Sequence, residues 1–157
     1  MNKWGYDEVF MHAQNQPEWQ SKTLGKTSLT IGDYGCFASC VTYCWSRKEN
    51  KNHEIPDFVD EAGKRDGFNS EGLLSWQTVK EITGLTVTKD RPWFGRVFTM
   101  RNVLVAGKDR VFSHWVVELS GGLMYDPLRK GGSFVHAIDF YPPVRDSKNQ
   151  IIRRYLR

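Results

Sequence analysis

Cysteine is scarce in this chain, and long hydrophobic runs are missing altogether. Only three of the 157 residues are Cys, at positions 36, 40 and 44. An odd number leaves at least one thiol outside any intramolecular disulfide, and successive turns of one helix seldom offer disulfide geometry. A disulfide-stapled scaffold is therefore excluded. No stretch approaches the roughly 18 apolar residues of a membrane span. The start, MNKWGYDEVFMHAQ, lacks the apolar core of a secretory signal, which predicts synthesis in the cytosol, with any cell-wall role requiring release by another route. Internal repeats, low-complexity tracts and linkers rich in Pro, Gly or Ser are also missing. A single domain over residues 1–157 is expected.

Charge of one sign is not in large excess. Twenty-two Lys and Arg face 18 Asp and Glu, for a net charge of +4. The excess favours acidic partners such as anionic wall polymers. Its densest runs, residues 47–51 and 153–157, are short and accompany no nucleic-acid motif, so nucleic acid is not an expected partner. The spacing C-x3-C-x3-C has no second ligand cluster, so no metal and no cofactor are expected. Against these absences stand 39% hydrophobic and 25% charged residues, the balance of a globular protein with a core. Six Trp, six Tyr and nine Phe are enough to fill that core or line a cleft.

Patterning changes midway. Residues 27–35 end in turn chemistry, with Gly32, Asp33 and Gly35 supplying backbone freedom. Apolar spacing predicts a helix over 36–47, a second from Pro56 to Lys64, and a third over 71–83 between an N-cap at Ser70 and a stop at Gly84. Runs rich in β-branched and aromatic residues follow at 97–100, 102–106, 114–119 and 123–126, with Ser120-Gly121-Gly122 as a hairpin signal. Further strands are expected over 138–141 and 151–156. Helices first and an antiparallel sheet after is an α+β plan.

Chemistry concentrates on three positions. Cys36 falls where a helix begins, and free N–H groups with the positive end of the helix dipole favour its thiolate. Cys40 and Cys44, one and two turns on, are expected in the core behind it. His114 opens the most regular strand, which would hold an imidazole rigidly as a base. Asp126 follows across the glycine hairpin, and antiparallel pairing would bring it beside His114 to fix the tautomer. A register slipped by one residue would turn Asp126 away and leave Asp139 as the alternative. An amide about twenty residues before Cys36, from Gln14 or Gln16, is the candidate oxyanion donor. His136 is a candidate for lining the cleft.

The ordered set Gln14-Asn15-Gln16-Pro17-Glu18-Trp19, Thr30-Ile31-Gly32-Asp33-Tyr34-Gly35-Cys36, His114-Trp115-Val116-Val117 and Asp126-Pro127 resembles the bacteriocin-leader (double-glycine) peptidase-like family of the papain-like superfamily. It departs from the family pattern at Gln16, where Asp is usual, and over residues 107–112. The resemblance spans about residues 14–128. It implies a papain-like fold, with Cys36 as nucleophile, His114 as base, Asp126 as orienting carboxylate and Gln14 as oxyanion donor. The implied activity is cleavage of amide bonds in a peptide or a peptidoglycan stem peptide. A transglutaminase or acyltransferase with the same triad, or a papain-like binding module without turnover, are the alternative outcomes.

Overall fold

The computed structural model describes residues 3–157. Among them are four α-helices, α1 (Ile31–Tyr34), α2 (Cys36–Glu49), α3 (Ile55–Lys64) and α4 (Trp76–Thr83). Six strands follow: β1 (Val87–Thr88), β2 (Phe98–Ala106), β3 (Val111–Leu119), β4 (Leu123–Tyr125), β5 (Val135–Ala137) and β6 (Arg153–Leu156). They form one antiparallel sheet in the order β1-β6-β2-β3-β4-β5. The fold is α+β.

Helix α2 is the centre of the molecule. It packs against β3 and α3, and its residues 38–44 are all buried. Phe58, Val59, Ile55, Val117, Tyr125 and Leu156 close around it in the larger core cluster. Each such side chain withdrawn from water contributes about 1.5–3 kcal/mol before entropy is set against it. A smaller cluster, Val103, Val105, Val116, Met124 and Tyr141, lies on the opposite face of the sheet. Residues 142–144 pair along β2, with Leu104 N donating to Pro142 O (2.8 Å) and Val144 N to Asn102 O (3.0 Å), and so bring the Tyr141 side chain onto that face.

Several boundaries differ from the sequence expectation, each for a local reason. The segment before Cys36 is a single helical turn, capped by Thr30 Oγ1 accepting from Asp33 N at 3.3 Å. Gly35 has φ −86°, so its need is space rather than unusual backbone: a Cβ there would sit 2.5 Å from Ile31 O. Helix α4 begins at Trp76, N-capped by Ser75 instead of Ser70. Asn69 Oδ1 captures the N–H groups of Glu71 and Leu73, and Gly72 has φ +75°, so residues 69–73 fold as a loop. The two runs expected at 97–100 and 102–106 are one continuous strand, β2, which starts at Phe98. The strand expected over 138–141 lies at 135–137, because Met124 pairs with His136 and the chain turns after Ala137.

Candidate active site

Strand β4 is only three residues long, and that shortness makes the site. Its last pair is Val117 with Tyr125. Continued by two residues, the ladder would set Pro127 opposite Trp115, and proline has no N–H to offer. The N-terminal turns of α2 take the place of the missing strand. Cys40 Sγ donates to Trp115 O at 3.4 Å, and the Trp115 N–H points to the sulfur of Cys36. One residue of β3 thus has its free main-chain groups satisfied by two thiols a helical turn apart.

His114 is the fourth residue of β3 rather than its opening one, because the β2–β3 hairpin extends to the Ala106–Val111 pair. Its side chain is 1% exposed. The register sets Asp126, just past β4, opposite Val116 on the face that His114 shares two residues away. His114 Nε2 lies 2.7 Å from Asp126 Oδ1, and the ionised carboxylate can only accept, so the ring donates. The imidazole is also hydrogen-bonded to Cys36, which leaves Nδ1 as the nitrogen facing the sulfur.

Asp126 is completely buried. Besides His114 it accepts from Leu128 N at 2.9 Å on Oδ1 and from the Tyr141 hydroxyl at 2.6 Å on Oδ2. Asp139, the alternative carboxylate, is exposed in the turn after β5 and has no place in the site.

The charges follow from these contacts. Burial raises the Asp126 carboxyl, but the hydrogen bond and charge of His114, with Tyr141 and Leu128, outweigh it and hold the group below its ordinary range. Burial disfavours the imidazolium, yet Asp126 and Cys36 push His114 up to about 9. For Cys36 burial again opposes charge. The hydrogen bond and charge of His114, and the N–H groups of Trp115 and Phe37, more than offset it and lower the thiol. A thiolate–imidazolium pair is the arrangement these directions describe.

Gln14 is buried and lines the same cleft as Cys36 and His114. Its backbone N–H donates to Pro127 O at 2.9 Å, and the Tyr125 hydroxyl donates to His12 O at 2.6 Å, so residues 12–14 lie along the end of β4. Gln14 Nε2 donates to Gly32 O at 3.0 Å, which uses one of its two hydrogens, while Oε1 is buried without a partner. Gln16 instead belongs to the turn that leads to Trp19 and does not line the cleft. His136 does not line it either. It is buried in β5 and stacked on Phe140 at 4.2 Å.

The cleft itself is about 920 Å³ and open, with the polar and charged residues Asn15, Asp33, Lys108 and Arg110 among those on its walls. Tyr141 was not among the residues the sequence singled out. It sits beside two prolines with no spacing rule tying it to Asp126, and only the covering of the second sheet face brings the two together. No group of three or more His, Cys, Asp or Glu is placed to hold a metal, and no helix is long and apolar enough to cross a membrane, among the described residues. No family model, curated protein or solved structure matches the chain.

Proposed function

We propose that this chain is a papain-like cysteine hydrolase that cleaves amide bonds through an acyl-thioester on Cys36. One observation carries the reading: a sealed imidazole, His114, bonds the Asp126 carboxylate at 2.7 Å and also the sulfur of a cysteine at a helix N-terminus. A structural histidine has no need of both partners.

In this reading the Cys36 thiolate attacks the substrate carbonyl carbon, forming a C–S bond and an oxyanion. The remaining Nε2 hydrogen of Gln14 is the donor available to that oxyanion. His114 passes its proton to the leaving nitrogen as the C–N bond breaks, then takes one from the water that opens the thioester. Asp126 stays ionised throughout and holds the ring by its Nε2. The substrate is a peptide or a peptidoglycan stem peptide.

The test is iodoacetamide alkylation of the native protein across pH, with the modified cysteine identified by mass spectrometry. The expected result is labelling of Cys36 alone, with a midpoint well below the free-thiol value of about 8.5. A Cys36 as inert as Cys40 and Cys44 would sink the hydrolase and leave a binding module on this fold.

A further inference from the structure

Cys36 separates two hollows, not one. Besides the open cleft, a second pocket of about 470 Å³ opens on the other side of the thiol. The two share Asp33, Tyr34, Cys36 and Ser113 as their dividing ridge. The second is apolar, walled by Phe68, Leu73, Leu74, Trp76 and Trp115. Leu73 is 61% exposed, a large aliphatic side chain left in water at the pocket's edge.

Away from that shared ridge, one wall residue breaks the apolar lining. Arg154 of β6 projects, like Leu156 two residues on, toward the helix-covered face of the sheet. Its guanidinium carbon lies 5.5 Å from the Trp76 ring and 5.7 Å from the Trp115 ring. Its neighbours Arg101 and Arg153 both bond Glu118 Oε1 at 2.8 Å. Arg154 has no carboxylate within 4.0 Å among the described residues, and its Nη1 donates only to the carbonyl of Arg153. A half-buried guanidinium between two indoles, without an acid, is costly unless an anion joins it. With Nη1 engaged by that carbonyl, the remaining N–H groups of the guanidinium fork are available to a carboxylate.

We propose that this pocket receives the acyl side of the substrate and that Arg154 selects there a residue ending in a carboxylate on an aliphatic stem. The side follows from proton transfer. His114 lines only the open cleft, and the imidazole must reach the leaving nitrogen, so the leaving portion occupies that cleft and the acyl portion the other. Asp33 stands at the exposed rim and does not pair with Arg154. The inference rests on the cysteine-hydrolase reading and adds to it the class of residue recognised.

The test uses peptidyl chloromethyl ketones, in which the Cys36 thiolate forms a C–S bond to the methylene and chloride leaves. Each of the two residues nearest the ketone is varied in turn among Glu, Leu and Lys, and the alkylation rate of Cys36 is measured. At one position the Glu probe should react roughly tenfold faster than the Leu probe, the advantage of one charge-assisted pair of bonds over packing alone. Arg154→Met should bring Glu down to Leu, and Arg154→Glu should reverse the order of Glu and Lys. If Leu equals or exceeds Glu at both positions, or a Glu preference survives in both variants, the role of Arg154 is overturned. Iodoacetamide on the wild-type protein separates the two failures. Rapid labelling of Cys36 confines the failure to Arg154, and an inert Cys36 removes the hydrolase and this inference with it.

Discussion

The first turn and the interior of α2 carry the same side chain in opposite electrical conditions. Burial lifts Cys40 well above an ordinary thiol, and the charges of Cys36, Cys44 and Asp126 add to the effect. Burial lifts Cys44 likewise, against the small opposing pull of Arg96. Cys36 feels the same desolvation but moves the other way, because His114 and the N–H groups of Trp115 and Phe37 reach its sulfur. Thiol reactivity in this helix is therefore a property of its first turn. The helix interior has no unpaired N–H to lend, and its neighbours are apolar.

The harshest way to break that contrast is to remove the imidazole's charge. His114→Gln keeps a donor for Asp126 but no cation. Cys36 should then behave like Cys40, and amide hydrolysis should fall by roughly 10³-fold, the usual reach of a positioned acid–base group. Steady-state kinetics and iodoacetamide labelling at pH 7 would measure both; unaltered rates would separate Cys36 from His114.

Moving the first turn is the next largest perturbation. Gly35→Ala would drive a Cβ against Ile31 O, so α1 and α2 must part and Cys36 must leave its place against Trp115. Slower Cys36 labelling with a lowered melting temperature is expected, and wild-type behaviour would show that the turn is slack.

The pH dependence sharpens the same contrast. The productive pair needs Cys36 deprotonated and His114 protonated. Hydrolysis should rise as the lowered thiol ionises, and fall through about pH 9 as His114 loses its proton. Alkylation of Cys36 needs only the thiolate and should not fall on the alkaline side. A hydrolysis profile without an alkaline limb would contradict the raised imidazole.

The smallest effect belongs to Tyr141→Phe. It removes one of three hydrogen bonds to a buried carboxylate, and a bond to a charged group is worth about 1.5–3 kcal/mol. Denaturant unfolding should register that loss, and the alkaline limb should shift by less than one pH unit. A variant as stable as wild type would mean that Tyr141 adds nothing to the Asp126 cradle.

Much of this arrangement was legible in the order of residues. Cys36 opens a helix as expected, its two companions are buried one and two turns behind it, and the Gly121-Gly122 turn returns the chain so that Asp126 meets His114. These are short-range consequences of turn chemistry and strand alternation. The misplaced α4 start shows the limit of pattern reading. Leu73 and Trp76 have helical spacing, but Asn69 and Gly72 decide the backbone locally and leave both side chains at the rim of a pocket.

By itself the sequence determined the α+β class, the helix that presents Cys36 and the hairpin that pairs His114 with Asp126, because each depends on residues near one another in the chain. Only the tertiary structure decided that β6 enters the sheet between β1 and β2 and brings Arg154 against Trp76 and Trp115. It alone decided that Tyr141 completes the Asp126 cradle. Those contacts join segments far apart in sequence, and they are set by how two sheet faces find enough apolar surface to be covered.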